Sequence, residues 1–249
     1  MKTHDTHRLL KECALDEKCA YLPGTEQTTH YKVISNCSSE YCDHLVRHGW
    51  RRFGEMFFRP VCGECSACES VKIDVASYRF SASEKRIMRK NTDLHVVVRR
   101  PGMTQKHLEL FVAYHHHMHL RRGWEEQAVT PRNYYTSFVH GYNDFGYEVL
   151  YFDGERLVGV DLIDILPSGI SSIYFYYDPE YAHRSLGKYS LLRQIELANE
   201  RGLPWIYLGY YVQGCRSLEY KRDYAPMWQL QGRPSEDESP VWHPLPERD

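Results

Sequence analysis

The chain lacks any uninterrupted apolar run of 18 residues, the length a membrane-spanning helix needs, so a helical membrane protein is excluded from the start. It also lacks the apolar segment of an export signal. The stretch from Met1 to Leu22 instead carries Lys2, Arg8, Lys11, Glu12, Asp16, Glu17 and Lys18. The expectation is a cytoplasmic protein, in which the 8 cysteines are free thiols or metal ligands rather than disulfides. Charge of one sign is missing too. A net charge of −2 means that bulk electrostatics do not mark a nucleic-acid binder, and any basic footprint must be local. Phenylalanine is scarce at 9 beside 20 tyrosines, an excess suited to half-buried strands or to surfaces that stack on bases.

What is present divides the 249 residues into three parts: 1–100, 101–230 and a Pro- and acid-containing tail over 231–249, with Pro101-Gly102 as the first boundary. Residues Thr104 to Arg122 place Leu108, Phe111, Val112 and Met118 at helical spacing before Gly123. The β-rich runs Tyr147 to Phe152 and Arg156 to Ile163 flank the hairpin signal Asp153-Gly154-Glu155, and a third run covers Ile170 to Tyr177. A helix over about residues 186–201, stopped by Gly202 and Pro204, then precedes a buried strand from Trp205 to Tyr210. The expected class is α+β. This meander–helix–strand order matches a GNAT-like acyltransferase domain and equally a generic α+β domain. Ahead of it stands a smaller cysteine-containing α+β domain with strands near residues 55–59 and 71–78 and a capping box, Ser81 to Glu84, opening a basic helix.

Four sets of residues carry chemistry. Cys62, Cys65 and Cys68 recur at the spacing with which one loop grips a soft metal, and Cys19 is the best fourth ligand; Zn²⁺, an iron–sulfur cluster and reduced core cysteines all fit the pattern. His115, His116, His117 and His119 are a weaker cluster, read as a polar helix face. Arg79, Lys85, Arg86, Arg89, Lys90, Arg99 and Arg100 form a local phosphate footprint. Arg184, Ser185, Gly187 and Lys188 lie at a helix N-terminus, where free N–H groups and the dipole favour a phosphate.

Cys19 to Pro23, Gly49-Trp-Arg-Arg52, Phe58-Arg-Pro60, the cysteine loop, Arg86 to Asn91, Asp178-Pro179, Arg184 to Gly187, Tyr207 to Tyr210 and Tyr220-Lys221 together resemble the arginyl-tRNA–protein transferase family, nearest its bacterial leucyl-transferring branch. Leu218, Lys72 and Met118 depart from the family pattern. The resemblance implies a GNAT-like fold and transfer of leucine from leucyl-tRNA to proteins with N-terminal Asp or Glu, creating a destabilising N-terminus; neither DNA nor a membrane is a partner. Arginyl transfer, a coenzyme A-dependent N-acetyltransferase and a zinc-stabilised RNA-binding protein are the alternatives. Because the aminoacyl ester is already activated, the chemistry requires no cofactor. The assignments that follow are Lys221, Tyr207, Tyr210, Tyr220 and Asp178 as catalytic residues. Arg184, Ser185, Gly187, Lys188, Arg86, Arg89 and Lys90 bind tRNA, and Arg52, Arg59 and Lys221 read the acceptor's carboxylate. Asp178 has a competing reading as the turn residue before Pro179.

Overall fold

The computed structural model describes residues 7–125 and 129–246. In chain order the elements are β1 (Arg8–Lys18), β2 (Glu26–Ser35), α1 (Ser39–Arg47), β3 (Arg51–Phe53), β4 (Met56–Pro60), β5 (Glu69–Asp74), α2 (Ala82–Lys90), β6 (His95–Arg99), α3 (Gln105–Arg122) and α4 (Pro131–Phe138). The meander β7 (Gly146–Asp153), β8 (Arg156–Leu166) and β9 (Gly169–Tyr177) follows, then α5 (Leu186–Glu200), β10 (Trp205–Tyr211), β11 (Met227–Leu230) and β12 (Trp242–Leu245). No helix among the described residues is long and apolar enough to cross a membrane.

Local chemistry sets the helix ends. The Ser81 hydroxyl accepts from the Glu84 N–H while the Glu84 carboxylate accepts from the Ser81 N–H, so the expected capping box opens α2. Gly123 closes α3 at φ 69°, a left-handed conformation that costs glycine no Cβ clash.

A four-stranded antiparallel sheet, in the order β1-β2-β4-β3, lies beside an eight-stranded one in the order β12-β11-β5-β10-β9-β8-β7-β6. Every pairing in the larger sheet is antiparallel except that of β10 with β9. Each face buries its own helices, as alternation along the strands requires. Val149, Tyr151 and Ile163 pack under Leu186, Tyr189, Leu192 and Ile195 of α5, whereas Leu150, Val160 and Leu162 pack under Leu110, Phe111 and Met118 of α3 and Tyr134 of α4.

β5 and β6 belong to the first hundred residues yet lie within the larger sheet, so strands from either side of Pro101-Gly102 share it. The tail is built in as well: β12 forms the sheet edge, Trp242 stacks edge-on to Tyr207 at 5.9 Å, and Glu236 is bonded to Lys32 and Tyr41. Its apolar Trp242 and half-buried ion pair outweigh the disorder that Pro and acids suggest. Residues 247–249 of that tail lie outside the described residues.

One irregularity positions the site. The parallel β9 and β10 pair only at Gly169–Trp205, Ile170–Ile206 and Ser171–Tyr207, and then diverge. The register of β10 against β5 shifts between Tyr207 and Gly209, and Gly209 sits at φ 75°. A bulge there turns the strand away from its parallel neighbour.

Candidate active site

The divergence of β9 and β10 opens a cavity of about 600 Å³. Ser172 to Phe175 line one wall and Leu208 to Tyr210 the other. The N-terminus of α5 closes one side with Ser185, Leu186, Gly187 and Lys188; the end of α3 and the segment from Ser217 to Tyr224 complete the rim. The four N-terminal N–H groups of a helix have no partner in a preceding turn, so α5 aims partial positive charge at this opening. Gly187 lines it with open space where a side chain would be.

Lys221 reaches the cavity from the short 3-10 helix Glu219–Asp223 and is 7% exposed. Its ammonium donates to the Tyr210 carbonyl at 2.5 Å. Burial pushes its pKa down to about 7, and nearby Arg51 adds to the shift against the opposing influence of Cys215 and Cys68. No carboxylate pairs with it among the described residues.

Arg51, which the sequence offers only as part of the upstream basic group with Arg52 and Arg59, takes a distinct place in the structure. From β3 of the smaller sheet it inserts where the β9–β10 ladder ends, donating to the Ser171 hydroxyl at 3.1 Å, to the Tyr207 carbonyl at 3.5 Å and to the Ser172 carbonyl. The guanidinium thus supplies donors to both parted strands. A Cβ on Gly209 would stand 2.8 Å from its Nε, so Gly209 is also what lets the side chain pass. The available signal was the tandem Arg51-Arg52, but only the tertiary fold separates their roles.

Arg52 turns the other way and is spent. Its Nε and Nη2 grip both oxygens of fully buried Asp164 at 2.8 and 2.5 Å, and Nη1 donates to the Gly54 carbonyl at 2.6 Å. Although Arg52 borders the cavity, it has little left for an incoming carboxylate. Arg59 does not line the cavity; it donates to the Pro234 carbonyl at 2.8 Å and lies over Trp50. Backbone carbonyls and Asp164 thus take most of the donors of these two residues, while Arg59 Nε is buried without a partner.

The remaining expectations divide similarly. Tyr210 borders the cavity while its hydroxyl donates to the Gly49 carbonyl, and Tyr220 lines the rim. Tyr207 faces the opposite side of the sheet, its hydroxyl 2.8 Å from that of Ser168, and contributes only its carbonyl to Arg51. Asp178 caps the 3-10 helix Pro179–Arg184 through the Glu180 N–H and pairs with Arg156 at 2.5 Å, away from the cavity, which is the turn role. Arg184 makes a bidentate pair with Asp93 at 2.8 and 2.9 Å instead of lining the cavity. Asn91 and Lys90 donate to the Arg184 and His183 carbonyls, fastening α2 beside the start of α5. Arg86 and Arg89 stay exposed on α2.

Cys19, Cys62, Cys65 and Cys68 face one another behind Tyr21 and Tyr210. Burial, then Cys19, Cys62 and Cys65, push the Cys68 thiol up to about 12. The Cys19 sulfur accepts from the N–H groups of Leu22 and Tyr21 at 3.4 and 3.5 Å, and that of Cys62 from the Thr28 N–H at 3.4 Å. Among the described residues no group of three or more His, Cys, Asp or Glu side chains that could hold a metal ion is found. Of the histidines, His115 bonds the Tyr174 hydroxyl and His119 the Trp124 carbonyl.

Three comparisons bear on this geometry. The model described as arginine-tRNA-protein transferase, C terminus, matches residues 106–231, and its N-terminus counterpart matches residues 17–86. An aspartate/glutamate leucyltransferase from Campylobacter jejuni subsp. jejuni is 44% identical over 220 residues, 88% of this chain and 92% of its own. One from Helicobacter hepaticus is 37% identical over 235 residues, covering 94% of this chain and 98% of that relative. A solved C-terminal domain of a putative lysylphosphatidylglycerol synthetase from Agrobacterium fabrum aligns at 8% identity over 59% of this chain and 47% of that one, with a TM-score of 0.42, too loose a likeness to carry an argument.

Proposed function

The chain belongs to the arginine-tRNA–protein transferase family, and from that premise we propose that it transfers leucine from leucyl-tRNA to the α-amine of proteins beginning with Asp or Glu. One observation carries the choice of donor and acceptor: the described residues lining the cavity include Arg51, Arg52, Arg121, Arg122, Lys188 and Lys221 but no Asp or Glu. A phosphate or an acceptor carboxylate finds complementary charge there. An arginyl side chain entering the same space finds no carboxylate to pair with, and burying an unpaired charge is very costly. The leucyl side chain instead meets apolar walls from Met118, Trp124, Ile173 and Leu208.

The β7-β8-β9-α5-β10 order, with two parting strands beside a helix N-terminus, supports a GNAT-like reading in which the ester lies between β9 and β10. Ser185, Gly187 and Lys188 then hold the 3′ end of the tRNA. Exposed Arg86 and Arg89, on the helix fastened beside α5, extend the phosphate contact.

In the reaction, neutral Lys221 takes a proton from the acceptor's α-ammonium. The amine nitrogen attacks the ester carbonyl, a C–N bond forms, and the C–O bond to the ribose breaks. Lys221 passes that proton to the departing ribose oxygen, then takes the second proton from the attacking nitrogen and releases it to solvent, so one proton is set free for each amide formed. A lysine with a pKa near 7 suits this exchange, because its partner amine has a pKa of about 7.7–8.0. Arg51 adds fixed positive charge where the tetrahedral oxyanion develops. Arg121 and Arg122, exposed at the end of α3, take over reading the acceptor's acidic side chain from Arg52 and Arg59. The thiol cluster braces the loop behind Tyr210 and enters no step of the chemistry.

The experiment offers leucyl-tRNA and arginyl-tRNA separately to peptides beginning with Asp, Glu or Ala. Label should pass only from leucyl-tRNA, and only to the Asp and Glu peptides. Efficient arginyl transfer would overturn the donor assignment.

A further inference from the structure

Asp161 lies fully buried in β8, on the face that packs against α5, with no cation beside it among the described residues. Burial pushes its carboxyl up to about 7, opposed only by the Gln194 amide. A carboxylate in such a place is costly and calls for a partner. The contact that it has is Gln194 of α5, whose Nε2 donates to Asp161 Oδ2 at 2.8 Å and to Ser172 Oγ at 3.2 Å.

That contact fixes the amide. With Nε2 given to both Asp161 Oδ2 and Ser172 Oγ, the NH₂ end of Gln194 faces them and the carbonyl end faces away. Gln194 and Ser172 both line the cavity, and Gln194 is 2% exposed. Its Oε1 is buried without a hydrogen-bond partner, as is Asp161 Oδ1. A buried carbonyl oxygen without a partner, on a side chain that lines the cavity, is short of a donor. Every charged side chain on the described lining is a cation and cannot coexist closely with an incoming ammonium, whereas the Asp161–Gln194 corner carries the opposite polarity.

We propose that Gln194 Oε1, held in place by Asp161, receives the free α-ammonium of the aminoacyl donor. This rests on the aminoacyl-transfer reading and deepens it. The donor carries two features beside its ester: an apolar side chain and an α-ammonium that must be held aside so that the acceptor's amine, not the donor's own, is the one that Lys221 deprotonates. Seating that ammonium on Gln194 fixes the Cα of the leucyl group and so the orientation of its carbonyl toward Lys221. Gln194 is thus a donor-binding residue and Asp161 a positioning residue.

The test compares leucyl-tRNA with the same tRNA charged with the α-hydroxy analogue of leucine, which keeps the shape and removes the charge. An Asp-initiated peptide is the acceptor. The unaltered enzyme should prefer the amine-bearing donor by about tenfold or more in kcat/KM, since hydrogen bonds to charged groups are the stronger ones. Gln194→Met should raise KM for leucyl-tRNA and bring that preference close to one, with the peptide KM unchanged. Asp161→Asn, which can still accept from the amide, should lower the preference partway. An unaltered enzyme that uses both donors equally overturns the assignment, as does a folded Gln194→Met variant with the original preference. Should Gln194→Met fail to fold by circular dichroism, Asp161→Asn decides: a reduced preference supports the assignment and an unchanged one overturns it. Absence of any transfer by the unaltered enzyme would instead count against the transferase reading itself, so the two failures are distinct.

Discussion

Lys221 and Tyr210 are joined by an ammonium-to-carbonyl hydrogen bond of 2.5 Å across 11 residues of chain, which ties the reactive amine to the strand that forms one cavity wall. The consequence for pH is direct. As pH rises through about 7, Lys221 loses its proton and transfer should accelerate, levelling only when the acceptor amine, with a pKa of about 7.7–8.0, is neutral too. Stability should also climb between about pH 7 and 10.4, because over that interval the unfolded lysine holds a proton that the folded one has released. Lys221→Met should cut kcat by about 10²- to 10⁴-fold and flatten the stability profile, with a melting temperature at neutral pH unchanged or higher. A rate profile that keeps its shape in the variant would remove Lys221 from the proton transfer.

Gly209→Ala should destabilise the fold. Its φ of 75° costs an L-residue about 1–2 kcal/mol, and the new methyl would stand 2.8 Å from Arg51 Nε. Because the second penalty depends on Arg51, an Arg51→Ala background should absorb part of it. Urea unfolding of the two single variants and the double variant measures the coupling, and strict additivity would contradict the wedge geometry.

Asp164→Asn should be far more damaging than its distance from the reacting centre suggests. It leaves the guanidinium of Arg52, whose side chain is 1% exposed, without its counter-charge. Breaking a buried pair in this way costs about 3–5 kcal/mol. Denaturant titration reads the loss, and a shift below about 1 kcal/mol would place the pair among the weak surface kind.

On α2, Arg86→Ala and Arg89→Ala should weaken tRNA binding and lower the slope of log affinity against log salt by about 0.7–0.9 each. Arg184→Ala should leave the slope nearly unchanged, since that guanidinium is already neutralised by Asp93. Filter binding at several salt concentrations separates the two classes.

Arg121→Gln together with Arg122→Gln should raise KM for Asp and Glu peptides by about tenfold or more, as expected when charged hydrogen bonds to a carboxylate are lost. Steady-state kinetics at saturating leucyl-tRNA isolate that effect. An unchanged peptide KM would return the acceptor's carboxylate to Lys221.

Local periodicity and end signals made the meander, α3, α5 and the capped start of α2 legible, since each is fixed by residues adjacent in the chain. The same is true of the turn from Ser185 to Lys188 and of the strand that carries Tyr210, and the family resemblance rested on just such short motifs. Partner choice was not legible. Arg51 and Arg52 are neighbours of identical chemistry, yet strand alternation sends one into the β9–β10 gap and the other onto Asp164. Arg184 looks like a phosphate ligand until Asp93 claims it, and Asp161 with Gln194, 33 residues apart, form a corner only because α5 lies across β8 and β9. The sequence by itself therefore determined which elements form and which residue types are at hand. Only the tertiary structure decided which charges are spent and which are free, because a charge is neutralised by whatever folding brings within about 4 Å of it, and that distance is set by packing rather than by order along the chain.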